Sequence, residues 1–200
     1  MSKKKKPILS IAFSDLLLFG LAAGSTFVID KHVHPIKNRQ TVEHKVNSPQ
    51  IDLRFSPKGG CTDLICQAIN GAQDTIYINA YSFTSEPIAT ALFNAQKRGV
   101  KVHLIVDHKE HQRGKVPFAE AFKAQFTYFT IDPRSGKNHP KYMVIDKKHL
   151  ITGSFNFDEN AEEKNRENVA YLQNVPKTAK KHLDNWQQNK KKIIAKQNKR

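Results

Sequence analysis

The stretch Asn138–Asn160, NHPKYMVIDKKHLITGSFNFDEN, predicts a β-hairpin. Its two apolar runs, Tyr142–Ile145 and Leu150–Thr152, have the length and composition of short buried strands. Lys147 and Lys148 separate the runs, and we interpret this pair as the turn. A Lys-Lys turn lacks the residues that favour tight hairpins, such as Asn-Gly, so the turn type stays open.

Polar side chains gather at the open end of this hairpin. Alternate residues of a strand share a face, and cross-strand partners lie about 4.5–5.5 Å apart at Cβ. With the turn at the lysine pair, Lys141 lies opposite Ser154. His139 likewise lies opposite Asn156. Asp146 has the opposite parity and sits at the turn, so we expect it to have a structural role outside this patch.

The patch suits cleavage of a phosphodiester. An ammonium, a hydroxyl and a carboxamide can bind the non-bridging oxygens of a phosphate. The imidazole of His139 is neutral and nucleophilic at physiological pH if its pKa stays near 6.5. Attack would give a phosphohistidine, which water then hydrolyses. No carboxylate pair for two metal ions is evident, and we expect no cofactor.

These residues match the signature His-x-Lys-x4-Asp-x6-Gly-Ser-x-Asn, and the chain thereby resembles the phospholipase D superfamily. It is most similar to the compact bacterial members with one motif, the exported endonuclease type. The resemblance covers residues 51–190, from FSPKGG through INAYSFT and RGVKVHLIVD to KNRENVAYLQN. It implies metal-independent phosphodiesterase activity, with the catalytic residues His139, Lys141, Asp146 and Glu167. The phosphate ligands that it implies are Lys141, Ser154 and Asn156.

Within that set, the resemblance makes His139 the nucleophile and Glu167 the residue that orients an imidazole. The leaving oxygen needs a proton, and a positioned acid contributes about 10²–10⁴-fold to such a step. A second histidine followed by lysine two residues later would supply the acid, but the sequence has none. We therefore expect a homodimer in which two copies of His139 face one phosphate across a two-fold axis.

Strand and helix patterns alternate along residues 51–190, which predicts an α/β domain with a mixed β-sheet layered between helices. Cys61 and Cys66 fall in one predicted helix and are expected as free thiols. Pro140 cannot donate to a strand ladder, which predicts an edge position for that end of its strand. Leu183 and Trp186 are expected to dock the final helix, which begins at Pro176. The other predicted strands are 51–55, 75–81, 100–106, 127–131 and 167–172, and the other predicted helices are 62–70, 85–98 and 116–126.

Residues 1–30 have the features of a targeting segment. A basic cluster, Lys3–Lys6, precedes an apolar block, Leu16–Ala23, and small residues follow it. Either a cleaved signal peptide or an uncleaved membrane anchor fits, so we expect an exported protein: periplasmic, secreted or held at the inner membrane. Residues 31–50 are interpreted as a linker, and 191–200 as a basic tail.

The formal net charge of +15 favours a polyanionic partner. Together with the resemblance, it predicts an endonuclease that cleaves DNA or RNA without sequence preference. A phospholipase D-type hydrolase of phospholipid head groups is the alternative, and a non-catalytic basic protein that binds nucleic acid at the envelope is a third. His32 and His34, or His108, Glu110 and His111, could hold a metal, but we expect polar loops there.

Overall fold

The computed structural model describes residues 48–132, 134 and 136–198. The strands are β1 (Gln50–Phe55), β2 (Thr75–Ala80), β3 (Lys101–Asp107), β4 (Thr127–Ile131), β5 (Tyr142–Ile145), β6 (His149–Gly153) and β7 (Asn168–Gln173). The helices are α1 (Cys61–Asn70), α2 (Glu86–Lys97), α3 (His108–Gln112), α4 (Ala119–Gln125), α5 (Glu159–Glu163) and α6 (Pro176–Gln197). The predicted leader and nearly all of the predicted linker lie outside the described residues.

The strands form one mixed sheet in the order β1-β7-β6-β5-β2-β3-β4. Strands β2, β3 and β4 are parallel, because helices connect them, whereas β1, β7, β6 and β5 pair antiparallel. This confirms the predicted fold class. The hairpin β5–β6 thus lies in the interior of the sheet, with β5 next to the parallel strands and β6 next to β7.

Helices cover both faces of the sheet. On one face, α1 and α2 pack over a large core that includes Ile78, Met143 and Ile151. On the other face, α6 packs against Tyr142, Val144 and Leu150 of the hairpin. Leu183 and Trp186 are buried in that contact, as predicted. The Trp186 indole N–H also donates to the Ile78 carbonyl at 2.9 Å, which fixes the position of α6 across the strands.

The hairpin register differs by one residue from the prediction. Tyr142 pairs with Thr152, and Ile145 pairs with His149, so the turn contains three residues rather than two. Asp146 and Lys147 both have positive φ, and the Lys148 N–H donates to the Ile145 carbonyl at 3.1 Å. The predictions that Lys141 lies directly opposite Ser154 and that His139 lies directly opposite Asn156 are therefore wrong.

Three smaller expectations also need correction. Pro140 precedes β5, which is a central strand, so no edge position is needed to accommodate it. Helix α6 continues to Gln197 and buries Ile193, so most of the predicted basic tail is helical. The helix predicted at 116–126 is shorter, and α3 was not predicted.

Cys61 and Cys66 are free, as expected, and burial raises the pKa of each thiol to about 11.

No helix within the described part of the chain is long and apolar enough to cross a membrane.

Asp146 joins the hairpin turn to the beginning of β2. Its carboxylate accepts hydrogen bonds from the backbone N–H groups of Gln73, Asp74 and Thr75, at 2.8–3.2 Å. The Asp146 N–H in turn donates to the Thr75 carbonyl at 2.8 Å. These bonds satisfy donors at the start of β2 that have no ladder partner, and they hold a turn with left-handed backbone.

Replacing Asp146 by asparagine should lower the free energy of unfolding by about 1–2 kcal/mol, because bonds to a carboxylate are stronger than bonds to an amide. Asparagine tolerates positive φ, so the change tests the carboxylate rather than the backbone. Urea unfolding measures the loss. The control is Asp184→Asn, which removes an exposed ion pair with Lys180 and should have a smaller effect. Equal midpoints for the two variants would contradict the proposed role.

Candidate active site

A cavity of about 670 Å³ opens where β5 begins and β6 ends, beside helix α6. Five of the six residues that sequence analysis selected line it: His139, Lys141, Ser154, Asn156 and Glu167. Asp146 does not, because it lies at the turn, at the opposite end of the hairpin. Its contacts with the backbone of residues 73–75 fit the structural role expected from its place at the turn.

Lys141 and His139 form the centre of the cavity. The Lys141 ammonium donates to the His139 carbonyl at 2.8 Å, and it lies 3.1 Å from Nδ1 and 3.0 Å from Nε2 of the ring. Lys141 is only 6% exposed, although His139 is exposed. The Lys141 ammonium is therefore buried beside the imidazole, whereas the imidazole ring is exposed at the opening of the cavity.

This arrangement favours the neutral form of the imidazole. Burial and the charges of Lys141 and Lys137 lower the pKa of His139, and Asp107 opposes them. Burial likewise lowers the pKa of Lys141, while the carboxylates of Glu167 and Asp158 raise it. A neutral imidazole has a free lone pair, which nucleophilic attack requires.

Tyr81 supports the pair from one side. Its ring centroid is 4.8 Å from that of His139 and 5.4 Å from the Lys141 ammonium. The Tyr81 hydroxyl is fixed by Glu110, at 3.1 Å. Phe83, two residues further along the chain, is fully buried in the core, whereas Tyr81 contacts both His139 and Lys141.

Ser154 is held across the sheet by Asn168, which sequence analysis missed. The Ser154 hydroxyl donates to Asn168 Oδ1 at 3.1 Å and accepts the Asn168 N–H at 3.1 Å. At Gly153, a Cβ would collide with the Asn168 carbonyl, so only glycine allows the strands to approach here. In the sequence, the one feature that could have pointed to Asn168 is its position directly after Glu167.

Asn156 and Glu167 complete the wall of the cavity. The Oδ1 atom of Asn156 is buried and has no hydrogen-bond partner among the described residues. Unpaired buried polar atoms are rare, and a bound ligand is one explanation. After rotation of its amide, Asn156 would present two N–H donors to a phosphate. Glu167 accepts a long hydrogen bond of 3.4 Å from Asn165.

Helix α6 adds Lys181, His182 and Asn185 to the lining, none of which sequence analysis assigned. His182 packs edge-on against Tyr142, at 5.0 Å between ring centroids. Its Nδ1 lies 3.1 Å from the Thr178 carbonyl, which can only accept, so Nδ1 carries a proton and Nε2 is the other available ring nitrogen. Only the fold brings α6 to this cavity, since α6 is far from the signature in sequence.

No group of three or more metal-binding side chains occurs within residues 48–132, 134 and 136–198. Of the candidates named from the sequence, His32 and His34 lie outside these residues. Glu110 is buried and pairs with Arg113 at 2.8 Å, whereas His108 contacts Thr130, and His111 contacts Tyr128. Residues 108–111, which were expected to form a polar loop, are therefore part of helix α3.

Comparison with known proteins agrees with the resemblance seen in the sequence. Residues 65–190 match the family described as cardiolipin synthase, PLD-like domain. A phospholipase D of Rickettsia prowazekii is 33% identical, over 93% of this chain and 94% of that protein. The crystal structure of Nuc from Salmonella typhimurium, a phospholipase D family member, is 33% identical, with a TM-score of 0.67, over 71% of this chain and 94% of that one. NucT from Helicobacter pylori, at 22% identity and a TM-score of 0.62, shares the fold.

The fold and cavity define a phosphodiesterase. The chain belongs to the phospholipase D superfamily, as a member whose single PLD-like domain carries one copy of the signature.

The His139 imidazole should titrate below its ordinary pKa of about 6.5, because burial and Lys141 disfavour its charged form. Replacing Lys141 by methionine removes a positive charge beside the ring and should raise the pKa of His139. Nuclear magnetic resonance titration measures both values, with His139→Asn used for assignment. Lys191→Met, a charge change away from the cavity, should leave the titration unaltered. A pKa of His139 that does not rise in Lys141→Met would contradict this interpretation.

Proposed function

We propose that the protein is a non-specific endonuclease that cleaves DNA or RNA through a phosphohistidine, without a metal ion. The observation that carries this proposal is the cavity in which a neutral His139 lies 3.0 Å from a buried ammonium, beside Ser154 and Asn156. The nucleophile and the phosphate ligands thus converge on one opening. The net charge of +15 favours a polyanionic substrate.

The reaction proceeds in two displacements. In the first, a ring nitrogen of His139 attacks phosphorus, an N–P bond forms, and the P–O bond to the leaving group breaks as that oxygen takes up a proton. Lys141, Ser154 and Asn156 stabilise the charge on the non-bridging oxygens. In the second, water attacks phosphorus and gives its proton to the group that protonated the leaving oxygen, and the N–P bond breaks to regenerate the imidazole. Neither displacement requires an external cofactor.

The acid for the first step comes from a second copy of the chain. Cross-strand pairing joins Tyr142 to Thr152, Thr152 to Ala170, and Ala170 to Leu53, so Leu53 lies on the face of the sheet that bears the cavity. Its neighbours of the same parity on β1 are Ile51 and Phe55. These three apolar side chains, the β1 stripe, are 69%, 48% and 61% exposed in chain order.

The β1 stripe lies on an edge strand, which is a position where exposed apolar residues promote association. A two-fold dimer that buries it would place a second copy of the cavity edge against the first, with the partner's His139 as the acid. Glu167 makes no hydrogen bond to His139 of its own chain within the described residues. In the dimer, Glu167 would orient the partner's His139, which is the imidazole-orienting role that the resemblance implies.

A phospholipase is the second candidate. The Rickettsia relatives are named phospholipase D, and more distant relatives, such as the mouse protein at 28% identity, are named mitochondrial cardiolipin hydrolase. The bond cleaved is of the same type, so the choice rests on what surrounds the phosphate. The cavity wall offers Lys181, Asn185 and His182 rather than an apolar channel for acyl chains. A non-catalytic binding protein is the weakest candidate, because binding alone does not require His139.

For location, we propose export, followed by residence in the periplasm, in the medium or at the inner membrane. The support is the sequence of residues 1–30, in which lysines precede an apolar block. A membrane anchor and a cleaved leader would both deliver residues 51–190 to the same side of the membrane.

The purified chain should cut plasmid DNA, and it should do so equally with and without EDTA. Phosphatidylcholine and cardiolipin vesicles, assayed in parallel for released head group, should be hydrolysed far more slowly. His139→Ala should lose at least about 10³-fold in rate, because the nucleophile is gone. Hydrolysis of lipid alone would overturn the choice of substrate, and inhibition by EDTA would overturn the metal-free mechanism.

Replacing Leu53 by aspartate should convert the dimer to monomers and abolish cutting, because it places a charge in the β1 stripe. Sedimentation measures the oligomeric state, and the matched control is Ile194→Asp, at an exposed apolar position of α6. Mixed dimers of wild type and His139→Ala should also be inactive. Full activity in a monomer would contradict the dimer, and His182→Gln would then test whether the acid lies within one chain.

A further inference from the structure

A second cavity, of about 450 Å³, adjoins the catalytic cavity. Pro140 and Asn185 line both, so the two openings share a wall. The second cavity is strongly basic, since four of its lining side chains are cationic: Arg134, Lys137, Lys192 and Lys196. Its one carboxylate, Asp132, is engaged by Arg134 at 2.7 Å. The interior of the cavity therefore carries an excess of positive charge.

One face of helix α6 connects the cavities. His182, Asn185, Asn189 and Lys192 are three or four residues apart, which places them along one side of the helix. His182 and Asn185 line the catalytic cavity, whereas Asn185, Asn189 and Lys192 line the second. From His182 to Lys192 the helix rises about 15 Å. The face is polar throughout, with imidazole, amide and ammonium groups.

We propose that the second cavity binds a phosphate of a nucleotide that flanks the scissile bond, and that this face of α6 guides the strand between the two phosphates. The span of about 15 Å corresponds to about four stacked nucleotides, at about 3.4 Å each, and to fewer in an extended strand. The ligand is thus a polynucleotide of several residues rather than an isolated phosphodiester. This inference rests on the proposed nuclease function and adds where the substrate lies.

The lining of the second cavity favours a nucleic acid over a lipid. A lipid with two phosphates could also present a second anion, but its acyl chains would need an apolar surface beside it. The apolar side chains of the cavity are Ile131, Ile193 and Pro140, and the remaining members are polar or charged. A sugar–phosphate backbone needs cations and amide donors, which Lys192 and Asn189 supply.

The test compares Lys192→Gln with Lys191→Gln. The two residues are adjacent and exposed, and both variants lose one charge, but only Lys192 lines the cavity. For each full-length variant, kcat/KM is measured on a single-stranded oligonucleotide of roughly 20 residues and on bis(4-nitrophenyl) phosphate, which has one phosphodiester and no flanking phosphate, between about 50 and 200 mM salt.

Lys192→Gln should lose about three- to tenfold more activity on the oligonucleotide than on the small diester at low salt. Its salt dependence should also be shallower, by about 0.7–1 in the logarithmic slope. Lys191→Gln should behave as wild type on both substrates. Equal losses in the two variants would overturn the flanking site while leaving the nuclease proposal intact. A Lys192→Gln defect seen on cardiolipin vesicles but not on the oligonucleotide would overturn the nucleic-acid occupant.

A wild-type protein that hydrolyses the small diester but no polynucleotide would instead overturn the proposed function, and with it this inference. Circular dichroism of each variant checks that the fold is retained. Lys192 is exposed, so its replacement leaves the core intact.

Discussion

The chemistry of this protein depends on one interaction, the contact between the Lys141 ammonium and the His139 imidazole. A lysine that is almost fully buried is costly unless its charge is satisfied. Here the His139 carbonyl accepts a hydrogen bond from it, the Tyr81 ring lies nearby, and the carboxylates of Glu167 and Asp158 favour its protonated form. The same charge disfavours protonation of the imidazole. One buried cation therefore favours the neutral imidazole, and in the proposed reaction it would also bind the phosphate oxygens.

The sheet makes that contact possible by fixing both ends of the hairpin. At one end, Asp146 ties the turn to the beginning of β2 through three backbone N–H groups. At the other end, β6 and β7 approach closely at Gly153, which allows Ser154 to hydrogen-bond with Asn168. The signature therefore contains residues of two kinds. His139, Lys141, Ser154 and Asn156 line the cavity with polar side chains, whereas Asp146 and Gly153 fix the backbone of the hairpin against its neighbours.

The sequence predicted the set of cavity residues better than it predicted their arrangement. Parity placed Lys141 and Ser154 together, although a three-residue turn shifts the register by one. The set is unaffected because β5 begins at Tyr142, so His139 and Lys141 precede the paired strand and reach the cavity from a loop. Asp146 was excluded from the cavity for a reason that holds in the structure, since the turn end and the open end of a hairpin are far apart.

The contributions of Tyr81, Asn168 and His182 could not be predicted in the same way. Each reaches the site through tertiary packing: Tyr81 from the end of β2, Asn168 from the beginning of β7, and His182 from α6. Local patterns assign residues to strands and helices, but they do not say which elements become neighbours. The order of the sheet and the angle of α6, which the Trp186 bond to Ile78 fixes, settle those contacts.

Helices cover the two faces of the sheet to different extents, and this difference relates the fold to the proposed dimer. Helices α1 and α2 bury one face, whereas α6 packs over the hairpin on the other and leaves the β1 stripe exposed. The same helix lines the catalytic cavity on one side, and Gly153, Ser154 and Glu167 line it from the sheet. The exposed apolar surface and the cavity therefore share the face of the sheet on which α6 packs, and this shared face is the structural basis of the proposed dimer.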